Sequence, residues 1–402
     1  MSNISFEMTG KLSIGKENEK FKPYEEKTFD SGWAKRRLSF NVIAGDNRHM
    51  LTVDGGCFKD GHGDVYLFSK GSTDESGVKT KGESFKIPFK DRFTSPKLAE
   101  VAEFKKYVFD LEQPNRRYLL QRLEEGIHEG KSVTDEDLKK VGLETKSQIA
   151  EELEKSTKKH HEFVTEWDFA EFVKKVIDSG KYTNKKFFIR GNITHSYSDD
   201  KERIYENYIP SRIYLADDDA EEMSTANINL IYNKESFDDM SVEEKGKYYV
   251  NGYVMSYDNN RKTNIPIPTT IVINAPSDDT DEKDKKKAKV ICKKFEIDDD
   301  AYKELGVVVN MLNGAQKTEI TDDMLTDEQK EDLDCGLITE EDIIRDMGGS
   351  VYGDRIKEYQ FVKIGKGFSK GREDTVYADA DMVIQPIEDE SVTEDLFEDD
   401  DL

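Results

Sequence analysis

Cysteine is scarce in this sequence, and the few that occur lie too far apart along the chain to suggest a shared role. Cys57, Cys292 and Cys335 are its three cysteines. They fit neither a disulfide framework nor the paired spacing of a zinc site, so we expect reduced thiols. Long apolar runs are also missing, since no stretch approaches the roughly 18–20 residues that cross a bilayer. The first 20 residues lack the short apolar core of a signal peptide. These absences predict a cytoplasmic protein with no membrane partner.

The motifs of the common enzyme classes are absent as well. The sequence contains no P-loop, no dinucleotide-binding glycine pattern, and no zinc-protease, nucleophile-elbow or EF-hand motif. Cys57 and His62 could supply two metal ligands, but no second pair of ligands follows nearby. Acidic runs such as Asp199-Asp200 and 217–219 could hold Mg²⁺, although in so acidic a chain such runs are more often loop charge. The sequence therefore predicts a protein that is not an enzyme and has neither a cofactor nor a metal.

Charge is abundant but unevenly placed. The net charge is −25, which by itself argues against a nucleic-acid partner. Residues 1–95 nevertheless carry a net charge of +2, and residues 355–372 carry +5. Residues 283–295 contain seven lysines and one aspartate, whereas residues 388–402 contain nine acids and no base. Basic patches on an acidic body with an acidic tail are therefore the pattern that a function has to explain.

Hydrophobic periodicity changes several times along the chain. Short β-branched and aromatic runs separated by Gly, Asp and Asn predict strands in the first 95 residues. Amphipathic stretches then predict helices, and five further strand-like runs between residues 185 and 276 predict a small closed or half-closed barrel. We expect an α+β fold with one or two β domains. Its expected segments are an N-terminal β domain (1–95), a helical insert (96–182), a β-barrel domain (183–300), an acidic helical segment (301–350), a basic β-hairpin packed on the core (351–385) and a disordered acidic tail (386–402).

Two stretches combine cations with aromatic rings, which is the pattern that single-stranded nucleic acid requires. Lysine and arginine contact phosphates, while exposed rings stack on bases at about 1–3 kcal/mol per base, with little dependence on sequence. The candidate contacts in the first stretch are Trp33, Lys35, Arg36 and Arg37. Those in the second, a basic hairpin, are Lys357, Tyr359, Lys363, Lys366, Phe368, Lys370 and Arg372.

Each aromatic candidate also has an ordinary structural interpretation. Trp33 could cover the core as a lid residue, and Phe40 alternates with apolar neighbours and is expected inside. Phe361 is expected to face inward as well. Phe368 lies between Gly367 and Ser369 at the expected hairpin tip, where a contact with a ligand and a free side chain are both open. The many tyrosines between residues 197 and 257 could simply pack a barrel with their hydroxyls in water.

A β-barrel core, basic aromatic loops and an acid-rich C-terminus ending in "TEDLFEDDDL" resemble bacteriophage single-stranded DNA-binding proteins. This resemblance covers the strand pattern of residues 185–276 and about 15 residues of the tail. It implies an OB-like barrel and sequence-independent coating and protection of single-stranded DNA in phage replication or recombination, in the host cytoplasm. It also implies a tail that recruits replication or recombination proteins and that could inhibit DNA binding. The corresponding tail residues are Leu396, Phe397, Asp399, Asp400, Asp401 and Leu402.

Other functions remain open at this point. An acidic protein that mimics DNA to occupy a nucleic-acid enzyme, such as an anti-defence factor, would also have a strongly negative net charge. A phage structural or assembly protein and an uncharacterised enzyme are further alternatives. A single-stranded DNA-binding protein should bind an oligonucleotide directly, whereas a mimic should compete with DNA for a protein.

Overall fold

The computed structural model describes most of the chain. The described residues are 4–19, 21–73, 79–277, 280–297, 300–317, 325–335, 337–338, 352–365 and 377–385. Strands dominate this part of the chain. They are β1 (Ile4–Ser13), β2 (Tyr24–Thr28), β3 (Trp33–Ala44), β4 (Asn47–Phe58), β5 (Asp64–Phe68), β6 (Ser72–Thr73), β7 (Lys79–Thr80), β8 (Ser84–Pro88), β9 (Tyr107–Asp110), β10 (His160–Phe163), β11 (Lys186–Ser198), β12 (Arg203–Leu215), β13 (Met223–Tyr232), β14 (Phe237–Asp238), β15 (Lys247–Asp258), β16 (Thr263–Asn274), β17 (Lys303–Lys317) and β18 (Tyr352–Ile364).

Helices are fewer than strands. They are α1 (Pro114–His128), α2 (Asp135–Lys140), α3 (Ile149–Thr157), α4 (Glu166–Asp178), α5 (Val242–Lys245), α6 (Glu282–Phe295) and α7 (Asp327–Asp334). Several of them begin as the sequence suggests. At α2, for example, Thr134 and Asp137 form a reciprocal capping box that satisfies two backbone amides of the first turn.

The expected α+β fold with a separate OB-like barrel over residues 183–300 is wrong. The protein is mostly β, and 14 of its strands form one large mixed sheet. The reason lies in β1, which pairs with β3, with β11 and with β13. It thereby joins the N-terminal strands to those that follow residue 183. A boundary at residue 182 consequently separates strands that are hydrogen-bonded to each other.

Two stretches expected to be helical contain strands. The run "DAYKELGVVVNMLNG" reads as a helix by its apolar spacing, but it lies largely within β17. Three consecutive valines favour an extended chain, because β-branched side chains lose rotamer freedom in a helix. Alternate residues of this strand, Val307, Val309 and Met311, are buried. The expected helical insert likewise contains β9 and β10, which pair antiparallel with each other.

Within the sheet, the pairings follow two circuits of five strands with the same order. The first unit runs β1–β3–β4–β12–β11 and back to β1, and the second runs β13–β15–β16–β18–β17 and back to β13. In each unit one pair is parallel, β4 with β12 and β16 with β18, and the other pairs are antiparallel. A helix directly precedes the last strand of each circuit along the chain, α4 before β11 and α6 before β17. The chain therefore repeats one strand order twice.

Two glycines permit the close strand contacts that complete these circuits. A Cβ at Gly10 in β1 would lie 2.3 Å from the carbonyl oxygen of Ile43 in β3. A Cβ at Gly252 in β15 would lie 2.4 Å from the carbonyl oxygen of Ile231 in β13. No side chain fits at either distance, so both contacts between the first and second strand of a unit require glycine.

One hydrophobic cluster runs through both units. It includes Phe6 and Phe40 in the first unit and Leu230 and Val309 in the second. The expectation that Phe40 lies inside is confirmed by its complete burial. Helix α4 covers one end of the first unit with Phe169 and its neighbours, and α1 to α3 form a separate small cluster. Because the inner side of the sheet packs in this cluster, its outward side is the surface that a ligand could reach.

Candidate nucleic-acid interface

The hairpin of β3 and β4 presents one exposed face. Burial alternates along β3 from Trp33 onward, as expected for a strand with one side on the core. In the antiparallel register Trp33 lies opposite Phe58, and Arg37 lies opposite Asp54. Lys35, between them on β3, lies opposite Gly56 and is exposed. We call this surface the β3–β4 face.

The β3–β4 face carries cations together with exposed apolar side chains. Lys35 forms an ion pair with Asp54 at 2.9 Å, and both side chains remain open to water. Arg37 is exposed and forms no ion pair with any residue in the described ranges. Farther along, Met50 is 49% exposed beside the exposed Arg48. Positive groups next to uncovered apolar area suit a ligand that has both phosphates and flat apolar rings.

An aromatic groove of about 330 Å³ lies at the end of this face. Trp33 and Phe58 form one wall, where their rings meet edge-on at 5.0 Å. His62 stacks on Phe58 with ring centroids 3.9 Å apart. Tyr66 and Phe104, which are 75% and 58% exposed, complete the lining together with other residues. Exposed rings around an open groove can sandwich a planar group.

Gly56 sets the position of the Trp33 ring. A Cβ at Gly56 would lie 2.4 Å from the indole carbons of Trp33, so the ring packs directly on the backbone of β4. This contact leaves the other face of the indole toward solvent, with 38% of the residue exposed. Trp33 is therefore held at the surface, and is not buried as a lid over the core.

Arg36 does not belong to this face, although it lies between Lys35 and Arg37 in the sequence. It points to the opposite side of β3 and is 7% exposed. Its guanidinium donates to the Trp167 carbonyl oxygen at 2.8 Å and to Glu171 at 2.9 Å, and it pairs with Glu26 at 3.1 Å. It also lies 3.8 Å from the centroid of the Trp167 ring. These contacts fasten α4 to the sheet, and we exclude Arg36 from the candidate contacts for this reason.

Lys357 and Tyr359 lie elsewhere, in a cavity of about 520 Å³ between the two units. Both donate to the carboxylate of Glu206, and Tyr208 donates to it at 3.1 Å. Burial by itself would raise the pKa of the Glu206 carboxyl. The hydrogen bonds from Lys357 and Tyr359 outweigh burial, and the pKa is lowered. These two residues are thus engaged in a contact between β12 and β18.

The other members of the expected hairpin cannot be placed with them. Lys363 is exposed near the end of β18, opposite Val308. β18 pairs with β17 and β16, and residues 377–385 form no strand. The remaining candidates lie outside the described residues: Lys366, Phe368, Lys370, Arg372, Leu396, Phe397, Asp399, Asp400, Asp401 and Leu402.

Most residues of the aromatic groove were not predicted from the sequence. Phe58 had a usable signal, because a hairpin that turns between Ala44 and Asn47 places Phe58 opposite Trp33. Tyr66 and Phe104 had none, since neither lies beside a basic run and Phe104 comes from the stretch expected to be helical. Contact between such distant segments is decided by the tertiary structure.

Comparisons with known proteins leave the family open. No protein-family model matches the chain, and no curated protein matches it. Among solved structures, the chain is similar to an internal-deletion mutant of the single-stranded DNA-binding protein from Thermus aquaticus, at 7% identity and a TM-score of 0.28. That match covers 93% of this chain and 98% of the other. The wild-type form of the same Thermus aquaticus protein matches at 8% identity and a TM-score of 0.28, covering 78% and 86%. Such TM-scores are too low to support a statement about fold or function.

Neither a membrane-spanning helix nor a metal-binding cluster occurs among the described residues. Within the described ranges, no helix has the length and apolarity that a bilayer span requires. The same residues contain no cluster of three or more His, Cys, Asp or Glu side chains that could hold a metal ion. Cys57 and His62 do both line the aromatic groove.

Proposed function

We propose that this protein binds single-stranded DNA without sequence preference, and that it acts by binding and not by catalysis, without a cofactor. The observation that carries this proposal is the β3–β4 face. It holds Trp33 and Phe58 on the same exposed side of the hairpin as Lys35 and Arg37. Binding of single-stranded DNA requires aromatic rings for its bases and cations for its phosphates within a few ångströms of each other.

The dimensions of the face favour a single strand over a duplex. The groove beside Trp33 holds about 330 Å³ and is lined by rings, which matches an unstacked base better than the outside of a double helix. Stacking on a ring requires a base that has left its partner, and it is worth about 1–3 kcal/mol per base. Because every base has a π-face, binding of this kind depends little on sequence.

Charge complementarity is local. The net charge of −25 repels DNA at long range, but salt screens exposed charges beyond a Debye length of about 8–10 Å. Within that distance the attraction rests on Arg37 and Arg48, because Lys35 is already paired with Asp54. We propose that the acidic body limits weak, non-specific contacts and that the β3–β4 face supplies the specific attraction to the strand.

We also propose a biological setting for this activity. The protein would coat and protect exposed strands during replication or recombination of a bacteriophage, in the host cytoplasm. Its C-terminal residues 393–402, with Leu396, Phe397 and Leu402 among acids, would recruit replication or recombination proteins.

Fluorescence anisotropy with labelled oligo-dT tests the central proposal. We expect binding to dT oligomers, weaker binding to a duplex of equal length, and a logarithmic salt slope near −0.7 for each phosphate contacted. Mixed-sequence oligomers should bind within a few-fold of dT. Equal affinity for duplex and single strand, or binding that salt does not change, would contradict the proposal. A protein that binds no DNA but competes with DNA for a nucleic-acid enzyme would support the alternative of a DNA mimic.

A further inference from the structure

The repeated strand order assigns a counterpart to the β3–β4 face. In the first unit, β3 and β4 are the second and third strands of the circuit. In the second unit those positions belong to β15 and β16, which pair antiparallel over their full length. Whatever lies on the outward face of β15 and β16 therefore occupies the place that the β3–β4 face has in the first unit.

That outward face carries a row of tyrosines. Tyr249, Tyr253 and Tyr257 are separated by four residues each, so all three point to the same side of β15. Successive rings begin about 13 Å apart at the usual rise of a strand. The residues between them on the opposite side, such as Val250 and Val254, are completely buried. We call these three residues the tyrosine row.

The neighbours on β16 differ in their exposure. Val272 lies opposite Tyr249, Pro268 opposite Tyr253, and Asn264 opposite Tyr257. Val272 is buried, and with Tyr249 it lines the cavity between the two units, whereas Pro268 and Asn264 are exposed. All three tyrosines are half-buried. Proline lacks a backbone N–H and so limits further strand pairing at that point of β16. Tyr253 and Tyr257 therefore have exposed neighbours on β16, and Tyr249 is reached through the cavity between the two units.

Hydroxyl bonding separates this row from tyrosines that pack the interior. Among interior tyrosines, the hydroxyl of Tyr208 donates to Glu206 at 3.1 Å, and that of Tyr232 donates to the Lys294 carbonyl oxygen at 3.0 Å. Buried hydroxyls need such partners. The hydroxyls of the tyrosine row form no hydrogen bond with any residue that the structure describes, which fits rings whose outer edges reach water.

Fewer cations accompany this face than the β3–β4 face. The ammonium group of Lys245 lies 5.4 Å from the ring centroid of Tyr249, and the exposed Lys262 lies in the turn between β15 and β16. Arg261, in the same turn, is already paired with Asp199. Binding here should depend on stacking more than on charge, and salt should affect it less than binding at the β3–β4 face.

An acidic segment borders the row on one side. The Tyr377 hydroxyl donates to Glu304 at 3.2 Å, and Glu304 lies opposite Ile231, which in turn lies opposite Tyr253. The carbonyl oxygen of Gln385 accepts from Arg261 at the other end of the segment. Residues 377–385 thus mark the limit of the free surface beside Tyr253.

We infer that the tyrosine row is a second stacking platform for single-stranded nucleic acid. The inference rests on the proposed function, and it adds that one chain engages two separate stretches of the same strand, one on each unit. The second platform would extend the bound length, with a smaller contribution to the salt slope than the first. A single platform of this kind covers roughly 4–16 nucleotides.

The test compares short and long oligomers. We would change Tyr249, Tyr253 and Tyr257 together to alanine, and titrate dT oligomers of about 8 and about 30 nucleotides, lengths chosen to occupy one or both platforms. The triple variant should bind the short oligomer as the unchanged protein does. Its affinity for the long oligomer should fall at least tenfold, and its occluded length should shrink by about half. The same tyrosines changed to phenylalanine should keep both properties, because the rings remain.

Two controls separate the possible failures. Tyr118→Ala removes an exposed tyrosine on α1, a helix that packs in the separate cluster of α1 to α3, and should change nothing. Trp33→Ala should weaken binding of both lengths. If Trp33→Ala has no effect at either length, the proposed function of the β3–β4 face fails. If Trp33→Ala acts as expected but the triple variant keeps its affinity for the long oligomer and its occluded length, the second platform alone is refuted.

A measurement on the unchanged protein covers the case in which the triple variant does not fold. Photocrosslinking with a 30-nucleotide oligomer that contains 5-iododeoxyuridine, followed by mass spectrometry, should give adducts on the tyrosine row as well as on Trp33 or Phe58. Adducts on the first unit alone would overturn the inference.

Discussion

The indole of Trp33 meets the ring of Phe58 edge-on across β3 and β4, with centroids 5.0 Å apart and planes inclined by 79°. The contact fixes the Trp33 ring at the surface, since Gly56 leaves no room for it to move toward β4. An aromatic ring that is already fixed loses little conformational entropy when a base stacks on it. This relationship between the two residues is the basis of the first two predictions.

Trp33→Ala should weaken binding of oligo-dT. Loss of one stacking contact costs about 1–3 kcal/mol, which corresponds to roughly 5- to 150-fold in the dissociation constant. The dissociation constant of Trp33→Phe should lie between those of Trp33→Ala and the unchanged protein, because a smaller ring remains. Anisotropy titrations give the constants, with Tyr118→Ala as the control for removing an exposed ring. A constant for Trp33→Ala that matches the control would contradict a stacking role.

Gly56→Ala should weaken binding without removing any ring. The added Cβ would lie 2.4 Å from the indole, so Trp33 must rotate away from its present position. We expect a loss of oligo-dT affinity and a shift in tryptophan fluorescence. Gly126→Ala on α1 is the matched control, because the added Cβ would lie 3.8 Å from its nearest neighbour, the Cβ of Lys131. That control should leave binding unchanged and stabilise the helix by about 0.5–1 kcal/mol. Unchanged binding by Gly56→Ala would show that the position of the indole is not important.

Arg36 and Arg37 are neighbours in the sequence, but substitution of Arg36 should lower stability, whereas substitution of Arg37 should weaken the salt dependence of DNA binding. Arg37→Ala removes an exposed cation and should lower the logarithmic salt slope by about 0.7, with stability unchanged. Arg36→Ala removes the guanidinium that donates to the Trp167 carbonyl oxygen and pairs with Glu26 and Glu171, and should lower the free energy of unfolding by about 1–3 kcal/mol. Urea denaturation and salt titrations of the two variants measure both quantities. Equal salt slopes for Arg37→Ala and the unchanged protein would remove Arg37 from the interface.

Stability should depend on pH through His160. Its ring is hydrogen-bonded to Asp110 at 2.9 Å and to Glu162 at 3.2 Å, and these carboxylates raise the pKa of His160 to about 9 from 6.5. Burial and the neighbouring Arg117 oppose the shift but do not cancel it. Because the folded state holds the proton more tightly, the stabilisation is complete below pH 6.5 and is lost as pH rises through about 9.

Thermal melts across this range measure the effect of His160. The melting temperature should fall as pH rises, and His160→Gln should flatten that part of the profile. Burial lowers the pKa of the neighbouring His161, so this residue titrates below pH 6.5 and does not contribute to the loss of stability at higher pH. Parallel profiles for His160→Gln and the unchanged protein would show that another group is responsible.

The hairpin of β3 and β4 was predictable from the sequence because its information is local. Alternation of apolar and polar residues defines two strands, and the "AGDN" turn between them fixes the register. The same alternation places Trp33, Lys35 and Arg37 on one side of the strand and Arg36 on the other, although all four residues were predicted as contacts. The uneven charge distribution was likewise plain from the residues alone.

The remaining features depended on contacts between distant segments. β17 was mistaken for a helix because its apolar spacing fits both periods, and pairing with β13 and β18 decided the outcome. Lys357 and Tyr359 had the composition of a binding site, but Glu206, about 150 residues away in the sequence, occupies both. The sequence by itself determined the two strands of the β3–β4 hairpin, the side of the strand on which each of their residues lies, and where positive charge collects. Only the tertiary structure decided which strands pair, because hydrogen bonds between strands specify direction and register but not the identity of the partner. That pairing repeats one strand order in two units, and it placed the tyrosine row of β15 where the β3–β4 face stands in the first.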